Sequence, residues 1–278
     1  MSILRAGVRA RQSLVGDHAR RGLVGLGIPE IAVTALFANS EPGAWYDPSD
    51  LSTLFQDSAG TTPVTSHGDP VGRVLDKSGN GNHATQAVSA SRPVYQTDDT
   101  LRWLKFDGVD DFLETPIITP STDKVQVFSG VDVISLSVAE ISMLMEIGST
   151  GFNAVNMQVP TNVNGEVRFS ASDSSVVYLS ETNGVAAPLA AVIAGLGDLD
   201  GNPQARHRIN QGAYATAGTG GTTANIAANE MFVGAQGGFT RYWAGDLYSL
   251  VVRFGPNLTT QQIERAEQFV AGKTGVTL

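Results

Sequence analysis

The sequence predicts an all-β protein: an antiparallel jelly-roll β-sandwich with one C-terminal amphipathic helix and an N-terminal arm. Three observations support this prediction. From Gly43 onward, short apolar stretches are broken by turn residues at intervals of roughly ten positions, which is typical of sandwiches. Several of these stretches alternate strictly between apolar and polar residues. The basic N-terminal residues differ in charge from the rest of the chain.

Alternation identifies strands with one buried face. Lys105 should point away from the face shared by Leu104 and Phe106, and Val125 and Val127 should share a face. The predicted strands are Leu101–Phe106, Lys124–Phe128, Ser135–Glu146, Glu166–Ser170, Val176–Ser180, Ala190–Gly195, Arg206–Asn210, Glu230–Val233 and Asp246–Arg253. Of these, Ser135–Glu146 is almost continuously apolar, which fits a strand buried on both faces or a short helix.

Two helices are predicted. Thr259 and Gln262 have the spacing of a capping box, and Gly272 supplies a stop signal. The apolar positions between them fall on one helical face: Ile263, Ala266 and Val270. This helix should pack its apolar side against the sandwich. A second, short helix is expected near Pro29–Phe37.

The N-terminal arm is predicted to span residues 1–42, with the jelly-roll domain covering 43–278. Five basic residues lie in the first 21 positions: Arg5, Arg9, Arg11, Arg20 and Arg21. With Asp17 as the one acid there, this segment carries +4, so the net charge of −9 leaves about −13 for the remainder. An acidic body argues against nucleic-acid binding, and a basic tail suggests attachment to a separate partner.

Composition excludes several classes of site. The chain has no cysteine, which excludes disulfides, thiol nucleophiles and cysteine-ligated metals. No apolar run approaches the length of about 18 residues that a membrane span requires.

The segment VLDKSGNGNHATQ raises the question of a cation site. Asp76, Ser78 and Asn80 place oxygen atoms at alternate positions before Gly81, as in the first half of a calcium loop. The closing glutamate of such a loop is missing, because Ala87 occupies its position. Further ligands could come from three acids of the FDGVDDFLE segment: Asp107, Asp110 and Asp111. The alternative is a tight turn in which glycines adopt left-handed conformations and the polar side chains bond the loop backbone.

The sequence predicts no catalytic site. Its four histidines are scattered, and neither a nucleophile elbow nor the Glu-x-Asp-x-x-Glu pattern of sandwich glucanases is present. Glu140 and Glu146 would share a strand face, but their apolar neighbours make the pairing look accidental. We therefore expect a protein that is not an enzyme.

Three aromatic residues are candidates for stacking on sugars. Trp103 alternates away from the Leu104 and Phe106 face, which makes it the first candidate. Tyr242 and Trp243 lie in the loop-like segment GGFTRYWAG and are the next. The alternative is that the tryptophans are core or rim residues of the sandwich.

An ordered set of segments carries a family resemblance. The segments are AWYDPSDL, VLDKSGNGNHATQ, SRPVYQ, LKFDGVDDFLETP, RINQGAY, FVGAQGG, WAGDLYSLVV and LTTQQIERAEQFVAGKTG. Together they resemble laminin-G-like, concanavalin A-type jelly-roll domains, especially those of bacteriophage virion proteins and bacterial surface proteins. The resemblance covers Gly43 to Leu278. It departs from many relatives at Leu247 or Ser249, where those proteins have a glutamate.

The resemblance implies two packed antiparallel sheets whose face or rim is available to glycans or proteins, with calcium at the rim in some relatives. It implies no other cofactor. Our first hypothesis is a non-enzymatic phage structural protein located in the virion, a capsid decoration or a head or tail appendage. Its arm would bind other virion proteins, and it would form a homo-oligomer within the particle without contacting nucleic acid or membrane. The alternative is a carbohydrate-binding adhesion module that recognises cell-surface glycans.

Overall fold

The apolar positions of the alternating segments meet between two antiparallel β-sheets, which confirms the predicted sandwich. The computed structural model describes residues 31–136, 142–149, 152–160, 164–173, 177–219, 221 and 224–278. The arginines proposed for attachment, Arg5, Arg9, Arg11, Arg20 and Arg21, lie outside the described residues. Neither helix in the described part of the chain has the length and apolar character needed to span a membrane.

Seventeen strands and two α-helices make up the described fold. In chain order the strands are β1 Gly43–Tyr46, β2 Leu54–Phe55, β3 Arg73–Val74, β4 Ala84–Thr85, β5 Val94–Thr97, β6 Arg102–Asp107, β7 Leu113–Glu114, β8 Lys124–Val133, β9 Ser142–Ser149, β10 Phe152–Val159, β11 Val167–Ser172, β12 Val177–Thr182, β13 Leu189–Asp198, β14 Ala205–Ile209, β15 Ala215–Ala217, β16 Met231–Val233 and β17 Ala244–Phe254. The α-helices are α1 Ile31–Thr34 and α2 Thr260–Thr274, and short 3₁₀ helices cover Ala35–Phe37, Leu51–Thr53 and Ser89–Ser91.

The first sheet has the strand order β15-β14-β13-β8-β17-β6-β5, and β1 also pairs with β17. The second sheet has the order β12-β11-β10-β9-β16-β7-β4-β3-β2. Strand β17 is central to the first sheet, since one of its edges pairs with β8 while the other pairs with both β1 and β6. The predicted alternation is confirmed: Leu104, Phe106, Val125 and Val127 face the core between the sheets, and Lys105 is exposed.

Helix α2 covers the outer face of the first sheet. Its apolar side forms a second buried cluster with Phe128 of β8 and Val251 of β17, and the rings of Trp45 and Phe269 meet edge to face at 5.6 Å. Gly130 permits this close approach, because a Cβ atom there would lie 2.4 Å from Thr274 Cγ2. The predicted capping box of α2 is confirmed, with Thr259 as N-cap, while the helix continues past Gly272 and ends at a left-handed Gly275.

Part of the predicted arm packs on the domain. Leu36 and Phe37 are buried in the cluster under α2. Arg253 of β17 holds the same segment: its Nε donates to the carbonyl oxygen of Leu36 at 2.7 Å, and its Nη2 pairs with Glu41 Oε1 at 3.0 Å. The segment from Leu36 to Glu41 therefore belongs structurally to the sandwich, although the sequence interpretation placed it in the arm.

The predicted strand Ser135–Glu146 differs from the structure at both ends. Strand β8 ends at Val133, the described residues that follow it are not in a strand, and β9 spans Ser142–Ser149. A continuous apolar run carries no alternation that could fix its boundaries. Eight strands were not among the predicted ones: β1, β2, β3, β4, β5, β7, β10 and β15.

A buried ion pair joins α2 to the first sheet and generates a stability prediction. Arg208 donates to both carboxylate oxygens of Glu267, at 2.7 and 2.6 Å, and the Glu267 side chain is 1% exposed. Glu267→Ala should destabilise the fold by about 3 kcal/mol, because it leaves Arg208 uncompensated. The double variant Arg208→Met with Glu267→Leu should recover most of this loss.

Urea unfolding of the two variants and the wild type measures these differences. If Glu267→Ala costs less than about 1 kcal/mol, the pair does not anchor the helix as the geometry indicates.

Candidate functional site

The loop that begins at Asp76 is a hydrogen-bonded turn. Asp76 Oδ1 accepts from the backbone N–H groups of Trp45 and Ser78, at 2.9 and 2.8 Å. Oδ2 accepts from Ser78 Oγ and from the N–H of Asn82, at 2.8 and 3.0 Å. Gly79 and Gly81 both have positive φ angles, of 92° and 76°. Four donors of the chain thus occupy the oxygens that a cation would require.

The same loop attaches β1 to the second sheet. Asn80 Nδ2 donates to the carbonyl oxygens of Glu41 and Gly43, at 2.9 and 3.2 Å. Lys77 lies over the ring of Trp45, with Nζ 4.8 Å from the centroid, and pairs with Asp50 at 2.9 Å. The turn interpretation of the sequence therefore describes this loop. Its polar side chains are used in hydrogen bonds and an ion pair within the chain.

Asp107 and Asp110 meet Asp111 rather than Asp76. Within the described residues these three acids place carboxylate oxygens within 4.8 Å of one another, a group that could hold a cation such as calcium. Asp111 is buried, and burial followed by the charges of Asp107 and Asp110 raises its pKa to about 6. Asp111 Oδ2 accepts from the N–H of Asp107 at 3.0 Å, and Asp110 Oδ2 accepts from Ser91 Oγ at 2.9 Å.

The prediction that Trp243 stacks on a sugar is wrong, and the alternative of a core residue describes it. Its side chain is fully buried, and its ring packs on Phe106 at 5.4 Å in the core between the sheets. The residue immediately precedes β17 and belongs to the core cluster between the sheets. A ring without exposed surface cannot stack on a ligand.

Of the other two predicted aromatics, Trp103 lies in a strand of the first sheet and Tyr242 lies in a loop. Trp103 is half-buried on the outer face of the first sheet, with its ring 5.5 Å from that of Tyr248. Tyr242 is half-buried in the loop between β16 and β17, where its hydroxyl donates to the carbonyl oxygen of Gly238 at 3.2 Å. The structure therefore does not bring the predicted aromatics together.

One row of outward-facing side chains crosses the whole second sheet. Successive strand pairings place them in direct register: Phe55, Arg73, Thr85, Glu114, Phe232, Glu146, Asn156, Ser170 and Leu179. At about 4.8 Å per strand, the part from Arg73 to Leu179 is roughly 35 Å long. Near β3 and β7 the row borders a cavity of about 450 Å³ lined in part by Arg73, Thr85 and Glu114. We call this set the transverse row.

The middle of the transverse row is buried and polar. Glu146 and Ser170 are each 1% exposed. Gln158, which lies two residues after Asn156 in β10, is 6% exposed. Three polar atoms there have no hydrogen-bond partner: Glu146 Oε1, Gln158 Oε1 and Ser170 Oγ. Asn156 lies between them and accepts a bond from Gln158 Nε2 at 3.0 Å. Buried polar atoms are rarely left unpaired, so three on adjacent strands indicate a place where a ligand supplies the missing bonds.

Residues 234–243, the loop between β16 and β17, lie over Glu146. The N–H of Gly237 donates to Glu146 Oε2 at 2.8 Å, and the N–H of Met143 in β9 donates to the carbonyl oxygen of Arg241 at 2.9 Å. Gly237 and Gly238 have positive φ angles, of 56° and 72°, which permit the tight turn. This turn presents Phe239, whose side chain is 73% exposed.

Burial changes the acidity of Glu146. Removal from water raises its pKa to about 7, and this effect exceeds the opposite effects of the Gly237 N–H and of Arg241. The sequence interpretation noticed Glu146 and set it aside because its neighbours are apolar. Strand register reveals the polar neighbours: β10 places Asn156 opposite Glu146, and β11 places Ser170 opposite Asn156.

The described fold is shared with several solved structures. No protein-family model and no curated protein sequence matches the chain. An arabinofuranosidase complexed with arabinofuranosyl-alpha-1,2-xylobiose superimposes with a TM-score of 0.56 at 12% identity, over 89% of this chain and 65% of that one. The chain thus spans just under two thirds of that enzyme.

Two further solved structures have similar folds and match a smaller part of this chain. Domain 4 of AbnA, a GH43 extracellular arabinanase from Geobacillus stearothermophilus solved with arabinotriose, gives a TM-score of 0.53 at 14% identity, over 81% of this chain and 98% of the domain. The receptor-binding domain of botulinum neurotoxin type G gives 0.51 at 13% identity, over 73% of this chain and 51% of that one. These similarities show that the two-sheet β-sandwich fold is shared with these proteins.

The acidic cluster generates a prediction about calcium. Calcium should raise the thermal unfolding midpoint of the wild type, because three carboxylates converge at Asp107, Asp110 and Asp111. Asp111→Asn should abolish that increase. Asp76→Asn should lower the midpoint with and without calcium, because it weakens the turn but not the cluster. Thermal scans with calcium and with a chelator measure this, and an unchanged wild-type midpoint would contradict it.

The raised pKa of Glu146 generates a prediction about pH. A glutamate in the unfolded chain has the ordinary pKa of 4.5, so the folded chain binds one more proton between pH 4.5 and about 7. Stability should fall as pH rises through this window and stay lower above it. Glu146→Gln should remove this loss, making the variant about 2 kcal/mol more stable than the wild type at pH 8 and equal to it at pH 4.5.

Urea unfolding of both proteins at the two pH values provides the measurement. A difference between the proteins that does not change with pH would mean that Glu146 is not protonated by burial.

Proposed function

We propose that the protein is a carbohydrate-binding module and that the transverse row of the second sheet is its binding site. The observation that carries the proposal is the set of three unpaired polar atoms on β9, β10 and β11. Gln158 Oε1 is an acceptor, Glu146 Oε1 accepts when the carboxyl group is ionised and donates when it is protonated, and Ser170 Oγ can donate or accept. A sugar presents several hydroxyl groups on one ring, and each of these can donate or accept.

The loop over Glu146 supplies the aromatic part of such a site. Phe239 is exposed at the tip, and Tyr242 lies three residues further along the same loop. An aromatic ring beside polar groups suits a sugar, whose ring has an apolar face and a polar edge. The loop is bonded to the Glu146 side chain through the Gly237 N–H. In this proposal, outward movement of the loop exposes the polar row and places Phe239 against the sugar.

The similar solved structures support the proposal at the level of fold. Domain 4 of AbnA was solved in complex with arabinotriose, and this chain has the same type of sandwich over 98% of that domain. The resemblance noted in the sequence points the same way. Fold alone does not determine function, so the specific argument rests on the transverse row.

We propose that the module binds without catalysis. The paired carboxylate pattern of sandwich glucanases is missing from the sequence. Glu114 is the other acid of the transverse row, and a full strand, β16, separates it from Glu146.

A virion role is a separate proposal that rests on the charge of residues 1–21. In it, the basic arm attaches the module to a capsid or tail while the sandwich remains displayed. The described residues begin after this segment. Removing residues 1–30 should prevent incorporation into particles, whereas the glycan-binding proposal does not depend on the arm.

A glycan array with the full chain tests the proposed function. We expect binding to a neutral oligosaccharide, with affinity reduced about tenfold in Phe239→Ala and in Glu146→Gln, because each loses one contact of about 1.4 kcal/mol. Ile134→Ala is the matched control: Ile134 is a similarly exposed apolar residue that follows β8 of the first sheet, and its substitution should leave the affinity unchanged.

Two results would contradict the proposal. One is an array without a bound glycan. The other is release of reducing sugar from the bound oligosaccharide, which would mean that the protein hydrolyses it.

A further inference from the structure

The outer face of the first sheet carries a second group of polar and aromatic residues, apart from the transverse row. Asp246 of β17 lies directly opposite Asp132 of β8 in one pairing and directly opposite Lys105 of β6 in the other. Trp103 lies two residues before Lys105 on the same face, with its ring 5.5 Å from that of Tyr248. We call these five residues the Asp246 patch.

Two carboxylate oxygens in this patch have no partner. Asp246 is 7% exposed, and its Oδ1 is buried without a hydrogen bond. Asp132 is partly exposed, and its Oδ1 is likewise buried without a hydrogen bond. Like charges directly opposite on neighbouring strands destabilise a sheet, so this arrangement requires a compensating donor or cation.

The surroundings determine which sign of ligand the patch accepts. Three acids act electrostatically on Tyr248 and raise its pKa together with burial: Asp246, Asp132 and Asp98. The one cation that acts on Asp246 is Lys105, which is exposed. The patch also adjoins the end of α2, since Gly130 of β8 lies against both Thr274 and Tyr248, and the C-terminus of a helix carries partial negative charge. An anionic ligand is therefore disfavoured.

The ring of Trp103 determines which kind of cation fits the patch, an organic ammonium group or a bare metal ion. The Trp103 side chain lies close enough to Asp246 to oppose, together with Lys105, the rise in its pKa that burial causes. An aromatic face next to carboxylates favours an organic ammonium group, which gains from the ring and from the charges together. A bare divalent cation would use no part of the ring, and it would require more oxygen ligands than two facing aspartates supply.

From this arrangement we propose that the Asp246 patch is a binding site for an amino sugar, with the ammonium group between Asp132 and Asp246 and the sugar ring against Trp103. The ammonium group supplies up to three N–H donors, which would satisfy both unpaired oxygens. Partly exposed Asp132 forms the open side through which the ligand enters. The site lies on the opposite sheet from the transverse row, so a failure of either proposal leaves the other in place.

Isothermal titration of the full chain at pH 7 tests the proposal. The probes are a glucosamine tetrasaccharide and the matching N-acetylglucosamine tetrasaccharide, which differ in the ammonium charge. We expect the glucosamine compound to bind the wild type at least tenfold more tightly than its acetylated counterpart, because acetylation removes the charge.

Variants locate the binding. Asp246→Asn keeps the side-chain shape and should weaken glucosamine binding at least tenfold, while Lys105→Gln should strengthen it about threefold by removing the competing cation. The matched control is Asp200→Asn, which makes the same change in charge at an exposed residue beyond the far end of β13. It should leave the affinity unchanged.

Thermal unfolding of Asp246→Asn checks that the variant remains folded, and its midpoint should equal or exceed that of the wild type because the like-charge pair is removed. Equal binding of both tetrasaccharides would overturn the proposal. Equal glucosamine binding by Asp246→Asn and the wild type would also overturn it. So would the absence of any binding, which would mean that the two aspartates merely share a proton.

Discussion

The apolar core between the two sheets determines what the rest of the chain must do. Each sheet turns one face to this core, and its other face must then be covered or be compatible with water. The outer face of the first sheet is covered in part by α2. This helix packs on β8, β13 and β17 and is held there by the Arg208–Glu267 pair. The second sheet places polar side chains on its outer face instead, and several are buried without full hydrogen bonding. This difference between the sheets is the physical basis of the proposed function.

Unpaired buried polar groups cost stability, since each loses its bonds to water without gaining others. Such groups occur at several places in the described part of the chain, among them the transverse row and the Asp246 patch. In the transverse row, burial raises the pKa of Glu146 to about 7, and in the Asp246 patch it raises the pKa of Asp246 to about 6. A chain that only needed to fold could replace these residues with apolar ones at little cost. Their presence on outer faces is consistent with ligands that satisfy them.

Local patterns in the sequence predicted the parts of the fold that depend on neighbouring residues. The capping box at Thr259 and Gln262 and the alternation around Phe106 could be read directly, because both depend on spacings of a few positions. The Asp76 turn was identified as one of two alternatives. The position of Trp243 was predicted wrongly, because its burial depends on how β17 enters the first sheet. Glu146 was missed as a site residue for the same reason: its polar neighbours come from β10 and β11, which only strand register brings beside it.

We propose that the transverse row binds a neutral oligosaccharide, separately from the amino-sugar site proposed at the Asp246 patch. Nuclear magnetic resonance mapping of backbone and side-chain amides during titration with an oligosaccharide selected on the array tests it most directly. The account predicts that the largest shifts occur at the Gly237 amide, which leaves Glu146 when the loop moves, and at the side-chain amides of Asn156 and Gln158. Shifts confined to the turns around Asp76 and Asp107, with the amides of the transverse row unchanged, would contradict it.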